Sequence, residues 1–353
     1  MSTGGGIVER FVVDDQERWA IFHRPSSNEE AATEKDASSS ISAAVLVFHG
    51  SSRFNDFEED EDPTLFAVQR FEQNYDSRYF GPHRDSNGYL MVYVAARRME
   101  EGGYYCWENN GREFGSCQYT PQDGNDAAFC ESIIARIRNE TETTEPEIPI
   151  YAFGFSGGAK FVWKYRNLFD AVGPIAGGLS PSLMVRPSSG GDDDDNDGNA
   201  YDYCNTPVVT FNGDQDTINP IEENRDSVLW YKDICGCKST RISEIVVPNE
   251  IDDDSSDSMN VTLIQYTDCE MHSNSSEFYI HFYTVHGAGH TIPGAPYVWS
   301  GLGPTSSIDS LEQLWYTWTT GGDVKLPSES SSSCHHLPTM LSVAVVLVLF
   351  WLR

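Results

Sequence analysis

Apolar residues in this chain fall into short runs separated by polar, glycine-rich or acidic stretches. Ile7–Val13 and Trp19–Arg24 predict two short strands of a hairpin-like opening. Ala43–Phe48 is almost continuously apolar, the pattern of a strand covered on both faces, and Tyr89–Ala95 is similar. Helices are predicted over Thr64–Tyr75 and Asn125–Arg138; the second has Ala128, Phe129, Ile133, Ile134 and Ile137 at helical spacing and Asn125 or Asp126 as a cap. The apolar run entered at Pro149 predicts a strand to Phe155, followed by a helix over Ala159–Leu168. Further strands are predicted over Ala171–Ala176, Pro207–Phe211, Val261–Tyr266 and Tyr279–Val285, and further helices over Glu222–Ile234 and Ser310–Trp318. Strands that alternate with helices predict a mostly parallel central sheet with helices on both faces.

With 39 % apolar residues in 353, the chain can bury a large core, and an α/β fold of this size can be one domain. Its net charge of −31 argues against nucleic acid or an anionic membrane surface as partner, because phosphate recognition needs a basic face. The acid is clustered in Asn28–Lys35, Phe57–Asp62, Glu140–Glu147, Asp192–Asp197 and Glu250–Asp257, which read as solvated loop insertions. Asp192–Asp195 lacks the spacing of a calcium loop. The 8 cysteines form no facing Cys-x-x-Cys pairs, so no structural zinc site, and no metal, is expected.

The ends suggest processing. Nothing apolar precedes the first strand, so no N-terminal signal peptide is visible. Met340 to Leu352 is apolar over about a dozen residues, short of the roughly 20 that span a bilayer. Ser330–Ser333 and a polar spacer precede it, a pattern like that of a GPI-attachment signal; a weak tail anchor is the alternative. A GPI signal without an entry signal is inconsistent, which leads us to expect an incomplete start. The expected organisation is a domain over 7–325 with acidic loop insertions, a Ser-rich linker over 326–339 and an apolar tail over 340–353. An extracellular or cell-surface location, with membrane attachment through the tail, would make the sequons at Asn139, Asn260 and Asn274 glycosylation candidates.

The chemistry centres on Gly154-Phe155-Ser156-Gly157-Gly158, a Gly-x-Ser-x-Gly motif between a predicted strand and a predicted helix. A sharp turn there would hold the serine hydroxyl clear of the core, and the flanking glycines avoid clashes. A serine hydroxyl needs a base, and the base needs a carboxylate to hold its tautomer. Asp216 lies beyond the strand ending at Phe211, and His290 lies in Gly-x-Gly-His beyond the last strand, giving the order Ser, Asp, His. Asp214 is the rival acid and His286 the rival base; surface or core roles suffice for His23, His83, His272 and His281. Oxyanion donors are expected from the backbone N–H of Gly157 and of Ser51 or Ser52, just past the His49-Gly50 strand end. Aromatics including Tyr105 and Trp107 follow another strand end and, with His49, are candidate substrate contacts; packing under a long loop is the alternative for the aromatics and an idle loop histidine for His49. The chemistry requires no cofactor.

These residues carry a resemblance. His49-Gly50, Cys106-Trp107, Asp126, Gly154-Phe155-Ser156-Gly157-Gly158, Leu168–Val172 into Pro174–Gly177, Asn212–Asp216 and Gly289-His290-Thr291-Ile292-Pro293-Gly294 resemble the feruloyl esterase and polyhydroxybutyrate depolymerase group of α/β-hydrolases. The resemblance runs from Val45 to Gly294, and its Gly-His-Thr-x-Pro-Gly ending is far more specific than the serine motif. It implies an α/β-hydrolase fold, a triad of Ser156, Asp216 and His290, and ester substrates that are polysaccharide-linked (ferulate or acetate on xylan) or polyesters. It also implies a disulfide between Cys235 or Cys237 and Cys269. The acidic insertions, the loop after Ala95 and the tail depart from the group's pattern, and substrate choice resides in such loops. A feruloyl-esterase-like serine esterase is the leading expectation, ahead of a polyhydroxyalkanoate depolymerase or acetylxylan esterase. A binding protein on a hydrolase scaffold would ordinarily lose a triad member, and a serine peptidase of this fold would add a propeller-like repeat. Nothing in the sequence sets the oligomeric state.

Overall fold

A computed structural model describes residues 6–25, 41–53, 62–98, 104–108, 125–141, 147–184, 204–247, 259–270, 278–295 and 308–325. The acidic runs 28–35 and 192–197, Asn274, the Ser-rich linker and the apolar tail lie outside them.

The strands are β1 (Ile7–Val13), β2 (Gln16–His23), β3 (Ala43–Phe48), β4 (Ser52–Arg53), β5 (Tyr89–Val94), β6 (Arg97–Arg98), β7 (Tyr104–Cys106), β8 (Ile150–Phe155), β9 (Ala171–Ile175), β10 (Val208–Gly213), β11 (Cys237–Val247), β12 (Met259–Cys269) and β13 (Ile280–Val285). The helices are α1 (Pro63–Tyr75), α2 (Gly81–Asn87), α3 (Asn125–Thr141), α4 (Gly157–Lys164), α5 (Ile221–Ile234) and α6 (Ser310–Thr320). Among the described residues, 10 strands form one sheet in the order β1-β2-β5-β3-β8-β9-β10-β13-β12-β11. From β5 to β13 every neighbour is parallel, and antiparallel hairpins, β1–β2 and β11–β12, close the two edges.

Strand alternation builds two cores. Ala44, Leu46 and Phe48 of β3 and Leu90, Val92 and Val94 of β5 face one layer with Phe129, Ile133 and Ile137 of α3, Phe161 of α4 and Val228 of α5. Val45, Val47, Met91 and Tyr93 face the other, with Val68 and Phe71 of α1 and Leu311, Leu314 and Trp318 of α6. Both faces are thus covered by helices, which is why the central strands read as unbroken apolar runs.

The structure corrects several boundaries. The second strand begins at Gln16, not Trp19. The helix expected over Ala159–Leu168 starts at Gly157 and ends at Lys164, with a separate 3-10 turn at Arg166–Leu168. Asp126 is no cap: it is buried and paired with Arg18 at 2.5 Å, while its other oxygen accepts from Glu108 N at 2.6 Å. β11 was not expected. It is an edge strand with polar and apolar residues mixed on its exposed face, so its alternation is weak.

Cys237 pairs with Cys269, directly opposite across the β11–β12 ladder, and Cys235 pairs instead with Cys204. Cys106 is also disulfide-bonded, and Cys130 is a buried free thiol.

Candidate active site

The candidate residues converge at the carboxyl ends of the parallel strands, the end at which open α/β sheets place their sites. Ser156 sits between β8 and α4 with φ +56° and ψ −115°, a conformation a non-glycine residue adopts only when its surroundings impose it. The imposition is visible next door. A Cβ on Gly154 would stand 2.4 Å from Gly158 O, and one on Gly158 would stand 2.3 Å from Phe48 O. Only glycine lets β8 turn this tightly against β3. The turn leaves Ser156 partly exposed at the head of α4.

Ser156 Oγ lies 2.9 Å from His290 Nε2, and His290 Nδ1 lies 2.7 Å from Asp216 Oδ2. His290 and Asp216 are buried, at 4 % and 5 % exposure. The other carboxylate oxygen of Asp216 accepts from Ile218 N and Asn219 N, both at 2.9 Å. With its other oxygen occupied by the two backbone N–H groups, Asp216 accepts a hydrogen bond from Nδ1–H of His290, leaving Nε2 as the acceptor that faces the serine hydroxyl. The imidazole packs on Phe155, with ring centroids 5.0 Å apart.

The rivals form a separate pair. His286 Nδ1 is 2.9 Å from Asp214 Oδ2, and Thr262 Oγ1 is 2.7 Å from His286 Nε2. Their side chains remain 42 % and 30 % exposed. Asp214 Oδ1 also accepts from Gly287 N at 2.7 Å, so this pair fastens the Asp216 loop to the His290 loop.

Ser51 lies against the head of α4: the three atoms nearest a Cβ placed on Gly157 all belong to Ser51, with its backbone N at 3.1 Å. Ser52 instead enters β4 opposite Tyr105. The loop carrying Ser51 is braced by His49, whose Nε2 accepts from Ala96 N at 3.2 Å while Nδ1 donates to Gly50 O at 2.7 Å. Burial lowers the His49 pKa from 6.5 to about 4, against a smaller upward pull from the Gly50 carbonyl, so the ring is neutral. Trp107 Nε1 donates to His49 O at 2.7 Å.

This geometry corrects the expectation for the substrate contacts. Tyr105 and Trp107 are fully buried and His49 is 2 % exposed. Trp107 packs on Phe48 and Phe161, within the core rather than on an exposed wall. Their type and position past a strand end fit both arrangements, and only the long-range approach of α4 separates them. Asn139 and Asn260 are exposed.

Sequence reasoning passed over Asn219. It is 1 % exposed, its Nδ2 donates to Ala176 O at 2.7 Å, and the same nitrogen is 3.5 Å from Ser156 Oγ. An asparagine before a proline in a loop carries little signal by itself.

Among the described residues, His23, Glu72 and Asp76 place ligand-type atoms within 4.8 Å of one another. Both oxygens of Asp76 already bind Arg84, at 2.9 and 3.1 Å, and Tyr93 donates to one of them at 2.8 Å. The cluster is an internal charge network on the far side of β5 from the serine, and Asp76 has little left to offer an ion.

The strand order, the serine turn after β8 and the acid and histidine after β10 and β13 define an α/β-hydrolase fold. No protein-family model matches the sequence, and no curated protein matches it. Among solved structures, the chain is similar to an acetyl xylan esterase from Aspergillus awamori at 12 % identity, covering 82 % of this chain and 95 % of that one, with a TM-score of 0.47. It is similar to poly(aspartic acid) hydrolase-1 from Sphingomonas sp. KT-1 at 14 % identity over 65 % and 86 % of the two chains, with a TM-score of 0.42. A thermostable esterase is 15 % identical with a TM-score of 0.38; the match covers 66 % of this chain and 52 % of the esterase, about half its length.

Proposed function

We propose that this protein is a serine ester hydrolase acting through an acyl-enzyme. The observation that carries the reading is the buried relay from Ser156 through His290 to Asp216, at 2.9 and 2.7 Å. In it, His290 Nε2 takes the hydroxyl proton as Ser156 Oγ bonds to the ester carbonyl carbon. The tetrahedral oxyanion forms at the head of α4, where the N–H groups of Gly157 and Ser51 are the donors; each such donor stabilises the transition state by about 3–4 kcal/mol. Collapse breaks the ester C–O bond, and the alcohol leaves with the proton from His290. Water, deprotonated by the same imidazole, then attacks the acyl-serine, releases the acid and restores Ser156. Asp216 keeps its charge throughout and steadies the transient imidazolium.

The substrate class we infer is a feruloyl-type ester on polysaccharide. Its support is the sequence resemblance, above all Gly289-His290-Thr291-Ile292-Pro293-Gly294. The Cys204–Cys235 and Cys237–Cys269 disulfides support an extracellular or cell-surface setting, since such bonds persist in oxidising compartments. Attachment through the tail belongs to the same reading. Among the described residues no helix is long and apolar enough to cross a membrane.

Assay of the purified protein on a short acyl ester, with Ser156→Ala beside it, tests the reaction. The variant should keep its circular dichroism and lose activity by a factor on the order of a million. Activity retained in Ser156→Ala refutes the mechanism. Methyl ferulate, acetylated xylan and short hydroxyalkanoate esters, compared by kcat/KM, then decide the substrate: preference for methyl ferulate is the expected result, and preference for either of the others replaces that assignment.

A further inference from the structure

Asn219 joins three parts of the site. Its backbone N–H donates to Asp216 Oδ1 at 2.9 Å. Its Nδ2 donates to the carbonyl of Ala176 at 2.7 Å and lies 3.5 Å from Ser156 Oγ. Ala176 and Ser156 are both non-glycine residues at positive φ, +53° and +56°. The side chain therefore spans two strained points of neighbouring turns, from a residue already fastened to the acid.

Space-filling does not account for an amide here. Nδ2 has two protons, one directed to Ala176 O and one available to Ser156 Oγ. Oδ1 is buried with no hydrogen-bond partner among the described residues. A buried acceptor left unpaired costs stability, and the bond from Nδ2 to Ala176 O offsets that cost in part. The second Nδ2 proton has no such structural use, and the serine oxygen is the acceptor within its reach.

We propose that Asn219 is a positioning residue for the nucleophile, a role that rests on the reading of Ser156 given above. A hydroxyl oxygen has one proton and two lone pairs. With Nδ2–H on a lone pair of Ser156 Oγ, the proton is left pointing at His290 Nε2. As that proton departs and charge gathers on Oγ, the same N–H faces the growing charge. The contact is long in the free protein, and such contacts tighten when substrate is bound.

Asn219→Leu keeps the approximate shape and removes both side-chain donors, while the backbone N–H still holds Asp216. With p-nitrophenyl acetate, kcat should fall roughly 10- to 100-fold, the scale of a misplaced reacting group. KM should stay within about twofold, since ground-state binding is untouched. The acid limb of the kcat/KM profile, which reports the His290–Asp216 pair, should not move. A kcat equal to wild type overturns the proposal, as does an acid limb that shifts along with the loss, because that marks general damage to the relay. If Asn219→Leu fails to fold by circular dichroism, Asn219→Ala, which removes both side-chain donors without adding charge, decides by the same readouts: a loss of the same order in kcat with KM and the acid limb unmoved upholds the role, and wild-type kcat overturns it. Wild-type protein inert to both p-nitrophenyl acetate and a fluorophosphonate would sink the nucleophile reading and this inference together. Active wild type beside an unimpaired Asn219→Leu sinks this inference only.

Discussion

Burial holds two histidines neutral well below the pH at which free imidazole takes up a proton. Desolvation lowers His281 to about 3 and His49 to about 4, the latter partly offset by its bond to Gly50 O. Between these values and about pH 6.5 the unfolded chain binds protons that the folded chain refuses, so stability rises with pH across that window and is lost on acidification. Each histidine contributes a slope of up to about 1.4 kcal/mol per pH unit. Thermal melts of wild type should therefore show Tm falling as pH drops through the window, and His281→Gln should flatten the fall; an unchanged slope would show that His281 titrates in the fold. Legibility at this scale depended on how local each role is. Ser156, Asp216 and His290 stand beyond strand ends in glycine-rich contexts, so the sequence pointed to them. Asn219 and the buried His49 take their roles from partners far along the chain, Ala176 and Ser156 for the first and Ala96 and Trp107 for the second, which their own neighbourhoods do not announce.

Among the elements, α6 connects the histidine loop to the helices beneath the sheet. Asp309 caps it by accepting from Glu312 N at 3.0 Å, and also accepts from Tyr79 Oη at 3.0 Å and His83 Nε2 at 2.9 Å. The Tyr79 hydroxyl and Ser310 Oγ converge on the carbonyl of Pro293, at 3.2 and 2.8 Å, three residues beyond His290. Burial alone would raise the Asp309 pKa, but His83 and the other donors overcome it and hold the carboxyl below its usual value. Its contribution is thus present above the unfolded carboxyl's pKa and lost as pH falls through the lowered one. Asp309→Ala should cost about 1–2 kcal/mol in denaturant unfolding at neutral pH, the size of a lost cap with further hydrogen bonds. Unchanged stability would mean that α6 is held by its apolar face alone. The helix itself was legible from its apolar spacing; the clamp was not, since Tyr79 and Asp309 are far apart in sequence. β11 was missed for a related reason. Ile242 and Val246 stand 63 % and 61 % exposed on a sheet edge, so apolar residues do not mark the strand's buried face.

For the molecule as a whole, the parallel strands bring a serine, an acid and a histidine together at their carboxyl ends, although they lie after β8, β10 and β13. The alternation of strands and helices was enough to reach that architecture from sequence, because covered parallel strands must be apolar throughout. Substrate preference was not legible to the same degree, since the acidic and aromatic stretches between the elements obey no periodicity. Much of the net charge of −31 sits in acidic runs between the apolar segments and leaves the core pattern intact. The central claim is that the relay makes one serine hydroxyl reactive. Treating the native protein with a fluorophosphonate and locating the adduct by peptide mass spectrometry measures this directly. The account predicts a single adduct on Ser156, absent in His290→Ala; an adduct on another residue, or none on folded protein, would contradict it.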